Sequence, residues 1–328
     1  MDYLYDLGIS IVLFVQNLGA WMISPIRFIS FFGTAEFYLL IMPALYWCFD
    51  AALGFRIGII LLVSDGLNFI LKVAFHTARP FWFSRQVTSY SFESSFGIPS
   101  GHAQNSAAVF GLLAASLKRR WVWVVCLIAI FLIGLSRIYL AVHFPQDVIL
   151  GWIIGFILVW IFLRLEGPVS SWFTRQSLGA GILAIFVFSM GILIIGLLVR
   201  EISSGWQIPQ TWIENARLAF PDEDPIDPFR VSPLLLTTGV LFGLAAGGFW
   251  ISTRGGFDAK GIWWKRILRF VVGVIGVVIL WMGLGAVLPE PNALLGYVLY
   301  YLQYALIGLW VSALAPWLFV RLNLAERK

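Results

Sequence analysis

The sequence predicts an all-α, polytopic helical membrane protein. Of its 328 residues, 60% are hydrophobic and only 12% are charged, whereas soluble domains average about 25% charged residues. The apolar residues lie in long runs, and a helix needs roughly 20 apolar residues to cross a bilayer. The runs of sufficient or nearly sufficient length are 30–49, 54–75, 121–140, 147–163, 178–199, 232–251, 270–288 and 293–320.

Two further apolar runs are less regular. The run at 103–117 is short and rich in Ala and Ser, which is typical of a helix buried among other helices, and with it we expect about nine transmembrane helices. The run Ile9–Ser24 contains Gln16 and Asn17 near its centre. We favour an amphipathic helix in the membrane interface for this run, with a tenth span as the alternative. No Lys or Arg precedes it, which argues against a cleaved signal peptide.

Charge and cysteine content exclude several classes of function. The formal net charge is +5, but the basic residues are spread over short loops, as the positive-inside rule predicts for a membrane protein. We therefore expect no nucleic-acid partner. Cys48 and Cys126 both lie in apolar runs, where Cys is usually a small hydrophobic residue. The sequence has no disulfide framework and no metal-ligand spacing.

The unusual polar residues divide the chain into two parts. Residues 1–170 hold nearly all of them, at the ends of apolar runs, and we expect this part to form the functional core. Residues 171–328 contain four more apolar runs, which are candidates for a buttress, a groove for lipid tails or a homo-oligomer interface. The acidic, proline-rich segment 201–232 is expected to be an irregular connector.

The first polar cluster is the segment LKVAFHTARPFW. Lys72 and Arg79 are seven residues apart, close to two helical turns, so on a continuous helix they share one face. Pro80 disfavours helix at Arg79, which predicts that the helix ends here with its cations at the membrane boundary. Snorkelling of both side chains toward the lipid headgroups is the alternative. We expect His76, in the same segment, to be a boundary residue and not a catalytic one.

The second polar cluster is PSGH. Pro99 and Gly101 interrupt the preceding loop, and Ser100 suits the N-cap of a helix that begins near His102. A helix N-terminus offers free backbone N–H groups and a positive dipole end, and Gly101 lets an anion approach the backbone. The cluster therefore predicts a phosphate site, with a simple polar helix cap as the alternative.

The third polar cluster is SRIYLAVHFPQDV. Arg137 lies at the end of a long apolar run, where an Arg costs energy unless it has a partner or water. Pro145 suits the first turn of the next helix, which places Asp147 in that turn, four residues after His143. A carboxylate there can bind one ring nitrogen and leave the other facing the site, as nucleophilic catalysis requires. A His–Asp pair that only caps the helix is the alternative.

Counting the membrane crossings places all three clusters at one surface, together with the acidic segment. The opposite surface collects Arg56, Lys118, Arg119, Arg120, Arg164, Arg175, Arg254, Lys260, Lys265, Arg266, Arg321, Arg327 and Lys328. The positive-inside rule makes that opposite surface, and the C-terminus, cytoplasmic. The clusters then face away from the cytoplasm. Three cations, two histidines and a helix N-terminus meet there, which is what a transferred phosphoryl group needs. No residue pattern indicates a metal, and we expect no cofactor.

The three clusters together resemble the three-part signature of the type-2 phosphatidic acid phosphatase superfamily, in its order and at its spacing, over roughly residues 30–165. The matching residues are Lys72, Arg79, Pro80, Pro99, Ser100, Gly101, His102, Ser136, Arg137, His143 and Asp147. The resemblance implies a six-helix phosphatase core, to which this chain adds about four C-terminal transmembrane helices.

The resemblance also implies a role for each matching residue. His143 would attack phosphorus and form a phosphohistidine, Asp147 would orient it, and His102 would protonate the leaving oxygen. The groups that would hold the phosphate oxygens are Lys72, Arg79, Ser100, the Gly101 N–H and Arg137. We expect a metal-independent phosphatase for a membrane lipid phosphate or diphosphate, acting at the non-cytoplasmic face. The alternatives are a phosphatase or phosphotransferase for a soluble phosphate ester, as in glucose-6-phosphatase, and a transporter or structural membrane protein with an inactive site.

Overall fold

The computed structural model describes residues 2–289 and 293–328. Helices joined by loops make up the described residues, with no strand among them, so the all-α prediction is confirmed. The helices are α1 (Asp2–Gln16), α2 (Ile23–Phe31), α3 (Ala35–Cys48), α4 (Ala51–Phe75), α5 (Pro80–Phe83), α6 (Gly101–Leu117), α7 (Arg120–Tyr139), α8 (Pro145–Phe173), α9 (Leu178–Ile202), α10 (Gln210–Ala219), α11 (Ser232–Ser252), α12 (Trp263–Val278), α13 (Leu294–Leu309) and α14 (Ala315–Arg321).

Seven helices in the described part of the chain are long and apolar enough to cross a membrane. They are Ala51–Phe83, Arg120–Tyr139, Pro145–Phe173, Leu178–Ile202, Ser232–Ser252, Trp263–Gly283 and Leu294–Arg321. The last four of them are the additional C-terminal helices expected from the sequence. The runs 30–49 and 103–117, which complete the expected nine, form the shorter helices α3 and α6, with 14 and 17 residues.

The N-terminal apolar run is divided between two helices, contrary to the single segment expected over Ile9–Ser24. The helices Tyr3–Gln16 and Ala20–Phe31 meet at an angle of 86°. Gly19 stands at the bend with a φ of 92°, a left-handed conformation that Gly adopts readily. The Gln16 amide donates to the carbonyl of Tyr139 at 2.9 Å. The polar residue in this run therefore anchors the end of α1, and the chain turns directly after it.

The chain packs into two compact units built from interleaved segments. The first comprises Met1–Tyr38, Leu67–Trp160 and Gly196–Arg230, and the second comprises Leu39–Gly66, Ile161–Ile195 and Val231–Lys328. All of the predicted site residues lie in the first unit. The predicted functional division at residue 170 stays a prediction.

Close helix packing in the first unit positions the second and third polar clusters. A Cβ added at Gly151 of α8 would lie 2.8 Å from the carbonyl oxygen of Ser100, and one added at Gly155 would lie 2.5 Å from that of Gln104. Small residues let the backbones of membrane helices approach each other in this way. The start of α6 is therefore held directly against the first turns of α8.

The second unit has the same kind of packing between α11 and α13. A Cβ added at Gly243 would lie 1.9 Å from the carbonyl oxygen of Ala305. The Ser189 hydroxyl donates to the carbonyl of Thr238 at 2.8 Å, which links α9 to α11. π-helical turns follow α12 and α13, at Ile279–Gly283 and Trp310–Leu314.

Candidate active site

The first polar cluster departs from the continuous helix that its spacing suggests. α4 ends at Phe75, and Arg79 is extended, with φ −99° and ψ 159°, directly before α5. Both cations are nevertheless buried in the first unit. Lys72 Nζ donates to the carbonyl of Phe96, and Arg79 donates to Ser95 through Nε at 2.6 Å and through Nη2 at 3.0 Å. Burial of both side chains argues against the snorkelling alternative, and it ties the loop before α6 to the two cations.

The second polar cluster forms the N-terminus of α6, which begins at Gly101 with Ser100 at the N-cap position, as predicted. The Ser100 hydroxyl makes no cap hydrogen bond. Ser100 Oγ and His102 Nε2 are both buried and have no partner among the residues that the structure describes. The backbone N–H of Ser100 donates to the carbonyl of Asp147 at 2.9 Å, which fixes this turn against α8. Unpartnered buried polar atoms are rare in native folds, so they mark a place prepared for a ligand.

The third polar cluster brings a histidine and a carboxylate together at the start of α8, as predicted. Asp147 Oδ2 lies 3.3 Å from His143 Nδ1 and accepts a hydrogen bond from the backbone N–H of Phe144 at 2.9 Å. The other ring nitrogen, Nε2, lies 3.2 Å from Arg79 Nη1. Arg can only donate, so Nε2 accepts and the ring proton resides on Nδ1. The lone pair of Nε2 therefore points toward Arg79, one of the predicted phosphate-binding residues.

The surroundings of His143 keep its imidazole neutral. Burial lowers the pKa of His143 well below its usual value, and the positive charges of Arg79, Lys72 and Arg137 lower it further. A neutral imidazole is the form that can act as a nucleophile.

Arg137, at the end of α7, has the partners that an arginine in an apolar setting requires. Nη1 donates to Ser30 Oγ at 2.8 Å, and Nη2 donates to Glu93 Oε1 at 2.5 Å. Its Nε is buried without a partner among the described residues. One donor of this guanidinium is thus left for a ligand.

Glu93 is a site residue that the sequence reasoning missed. Its Oε2 also lies 3.6 Å from Arg79 Nη2, so the carboxylate bridges two of the predicted phosphate-binding cations. Burial raises its pKa, but the charges of Arg79 and Arg137 outweigh burial and lower it to about 2, so Glu93 is ionised. The available signal was an acidic residue in the loop that joins the first and second polar clusters.

Two more residues, Thr77 and Asn68, hold the loop before α6 in place. Thr77 accepts from the backbone N–H of Ile98 through its hydroxyl at 2.8 Å, and from that of Gly97 through its carbonyl at 3.0 Å. Asn68 donates to Gln104 Oε1 at 2.9 Å, and to the carbonyl of Pro99 at 3.2 Å. These contacts position the PSGH turn relative to the first cluster.

Two flanking features pack beside the site. His76 stacks on Trp206, with ring centroids 4.8 Å apart, in agreement with a boundary role. The segment 201–232 was expected to be irregular, but it contains α10, which packs on α5. Asn215 of α10 donates to the carbonyl of Trp82 at 2.9 Å. The reason is an amphipathic sequence: α10 buries Asn215 and Ala216 while its charged side chains stay outside.

Taken together, the buried groups of the site suit an oxyanion. Three cations face two carboxylates, Glu93 and Asp147, and this leaves one net positive charge when both histidines are counted as neutral. No group of three or more His, Cys, Asp or Glu within residues 2–289 and 293–328 is placed to hold a metal ion. A buried neutral imidazole beside guanidinium groups and a helix N-terminus has the chemistry that phosphoryl transfer needs. On membrane-crossing helices, this arrangement defines the class of integral-membrane phosphatases.

The comparison with known families agrees with that class. The PAP2 superfamily matches residues 53–169, and the PAP2 superfamily phosphatase transmembrane extension matches residues 235–327. The chain belongs to the PAP2 superfamily, the type-2 phosphatidic acid phosphatases, so the resemblance drawn from the three clusters is confirmed. It is a membrane phosphatase of that superfamily.

Several characterised proteins are similar to this chain. Glucose-6-phosphatase 2 of Homo sapiens is 26% identical over 357 residues, which covers 97% of this chain and 96% of the relative. Glucose-6-phosphatase 3 of Bos taurus is 25% identical over 350 residues, with coverage of 97% and 96%. Among solved structures, the crystal structure of the first transmembrane PAP2 type phosphatidylglycerolphosphate phosphatase from Bacillus subtilis has a TM-score of 0.45 and 22% identity, and covers 52% of this chain and 89% of that one.

Proposed function

We propose that this protein hydrolyses a phosphate ester in two steps, with His143 as the nucleophile. The observation that carries the proposal is the position of His143 between Asp147 at Nδ1 and Arg79 at Nε2. The carboxylate keeps the proton on Nδ1, so Nε2 has the lone pair that attacks phosphorus. Asp147 also stabilises the positive charge that develops on the ring during the attack.

In the first step, a bond forms between His143 Nε2 and phosphorus while the bond from phosphorus to the leaving oxygen breaks. Burial and the nearby cations lower the pKa of His102, so we propose that its imidazole takes up a proton together with the anionic substrate. It gives this proton to the leaving oxygen and then takes a proton from the attacking water in the second step. Water displaces the phosphoryl group from His143, and inorganic phosphate leaves. The unpartnered His102 Nε2 supports this role because no protein group competes for it among the described residues.

The phosphate oxygens are held by groups that surround the nucleophile. These groups are Lys72, Arg79, Ser100, the Gly101 N–H and Arg137. Their charges and N–H dipoles stabilise the negative charge that develops on the phosphate oxygens in the transition state. We propose that they replace the metal ion that many phosphatases use, and that activity persists in EDTA.

We propose a soluble phosphate monoester of a sugar as the substrate. The support is the similarity to glucose-6-phosphatases, which runs through 97% of the chain and so includes the C-terminal helices. A lipid phosphate or diphosphate is the second candidate, because cations of the site stand at the ends of apolar helices. A lipid could place its phosphate there and leave its tails in the bilayer.

Phosphoenzyme trapping tests the nucleophile. Purified protein in nanodiscs is mixed with a labelled substrate in EDTA and quenched within milliseconds. We expect an acid-labile, base-stable phosphohistidine that is absent in His143→Ala and present in the matched control His76→Ala. Phosphate release by His143→Ala at the wild-type rate would refute the assignment. Both variants should first show the wild-type thermal transition.

A substrate panel tests the two candidate classes. Glucose 6-phosphate, a short-chain phosphatidic acid and a long-chain phosphatidic acid in nanodiscs are offered separately and in competition. A sugar-phosphate enzyme should show the highest kcat/KM for glucose 6-phosphate and little inhibition by the long-chain lipid. The reverse order would favour the lipid candidate.

We also propose that the site faces away from the cytoplasm and that the C-terminus is cytoplasmic. The support is the sequence bias of Lys and Arg toward the opposite surface. An impermeant thiol reagent applied to intact cells should label Asp222→Cys and leave Lys328→Cys unlabelled. The opposite labelling pattern would reverse the orientation.

A further inference from the structure

The carboxylate of Glu93 occupies donors that a phosphate would need. One oxygen accepts from Arg137 Nη2 at 2.5 Å, and the other lies 3.6 Å from Arg79 Nη2. A bound phosphate would be expected to do the same, with two oxygens of one phosphorus shared between the two guanidinium groups. Glu93 and the substrate phosphate therefore compete for the same cations.

Glu93 is also more exposed than the two arginines and the histidine beside it. Its side chain is 28% exposed, compared with 1% for Arg79, 3% for Arg137 and 2% for His143. It stands in the irregular loop between α5 and α6, so it can shift without unpacking a helix. A substrate whose phosphate is buried must leave the rest of the molecule on the exposed side, beside Glu93.

The position of His102 agrees with that direction. In-line transfer places the leaving oxygen opposite the attacking nitrogen, and the group that protonates the leaving oxygen must be near it. His102, like Glu93, is only partly buried, whereas Arg79, Arg137 and His143 are buried. The carboxylate and the proposed proton donor therefore both lie toward the exposed side of the site, where the leaving group would be.

We propose that Glu93 is a specificity-determining residue that faces the leaving group, accepts hydrogen bonds from its hydroxyl groups and repels a second anionic group on it. The inference rests on the proposed function and deepens it. It makes the preferred substrate a monophosphate with a neutral, hydroxyl-bearing leaving group, and it disfavours bisphosphates and diphosphates.

The test compares Glu93→Gln with the wild type on substrates that differ only in a second phosphate. The pairs are glucose 6-phosphate with glucose 1,6-bisphosphate, and phosphatidic acid with diacylglycerol diphosphate. The matched control is Glu214→Gln, on the exposed face of α10. We expect the wild type to prefer the monophosphate, and Glu93→Gln to reduce that preference, as a ratio of kcat/KM values, by at least about tenfold. Glu214→Gln should keep the wild-type ratio.

Each outcome decides a different point. A wild type that hydrolyses no member of either pair contradicts the proposed function. The Gln oxygen can still accept from Arg137, so Glu93→Gln should stay active. If the variant keeps the wild-type preference for the monophosphate, or loses kcat/KM equally on both members of a pair, the inference is overturned. Glu93→Asp, which keeps the charge, should keep the preference.

Binding of inorganic phosphate gives a second measurement that does not depend on turnover. Without the competing carboxylate, Glu93→Gln should bind phosphate about tenfold more tightly than the wild type, seen as a larger thermal shift at equal phosphate concentration. Weaker binding would overturn the inference, because Glu93 would then help to hold the phosphate site together.

Discussion

Replacing Asp147 by Asn removes one negative charge beside the nucleophile and can leave the hydrogen bonds intact. A single oxygen, Oδ2, lies 3.3 Å from His143 Nδ1 and accepts from the backbone N–H of Phe144 at 2.9 Å. The side-chain oxygen of an Asn can take that place and keep both contacts. The ring of His143 would then keep its tautomer and orientation, so Asp147→Asn isolates the effect of the charge.

The magnitude follows from the distance. At 3.3 Å and an effective dielectric constant of about 20, a full positive charge on the ring interacts with the carboxylate by about 5 kcal/mol. If between half and all of that charge has developed when Nε2 attacks phosphorus, the barrier rises by about 2.5–5 kcal/mol. The rate of phosphoenzyme formation should therefore fall by about 10²–10⁴.

Rapid-quench measurement of phosphohistidine formation is the direct assay. Asp222→Asn, which neutralises an exposed carboxylate of the same unit, serves as the control and should match the wild type. A decrease of less than about tenfold in Asp147→Asn, or less than about 1.4 kcal/mol, would refute the idea that Asp147 stabilises the developing charge.

The remaining predictions concern the proton donor, the loop and the pH dependence. His102→Ala should lose most activity on alkyl phosphates but retain it on an aryl phosphate with an acidic leaving group; equal losses on both would contradict its role as proton donor. Gly97→Ala should lose about 1–3 kcal/mol of stability in a thermal or denaturant assay, because its Cβ would lie 2.4 Å from the carbonyl oxygen of Ala78. Gly167→Ala, with nothing within 4 Å of its Cβ, should be neutral. Since burial and nearby cations lower the pKa of His143, falling pH removes the nucleophile only below about 6.5. The acid limb of kcat/KM, corrected for ionisation of the substrate, should lie below that value, and a limb at or above it would contradict the neutral imidazole.

Much of the fold was predictable because local signals and membrane physics agree here. In a bilayer, a long apolar run satisfies its backbone hydrogen bonds by forming a helix. The four C-terminal candidate spans lie where the apolar runs of the sequence lie. Ser100 before α6 and Pro145 in the first turn of α8 placed two helix starts close to where they lie. These two starts position His102 and Asp147, whose catalytic roles stay predictions.

Other features depend on contacts that a linear pattern does not contain. The bend after α1 depends on Gln16 finding a distant carbonyl at Tyr139. α4 ends at Phe75, before the proline that was expected to end it. Glu93 belongs to no motif and joins the site only because its loop folds back onto Arg79 and Arg137. Oligomerisation through the C-terminal helices stays a prediction.

The unpartnered polar atoms of the site favour a binding site over a purely structural ion-pair network. Ser100 Oγ, His102 Nε2 and Arg137 Nε are buried without partners among the described residues. Leaving a buried donor or acceptor unsatisfied costs about 1–3 kcal/mol each. All three belong to residues of the predicted phosphate site. A purely structural network would gain stability by satisfying these atoms internally. A phosphate ester has the acceptor oxygens that the hydroxyl and the guanidinium lack, together with a leaving oxygen for the imidazole, and binding it satisfies all three groups at once.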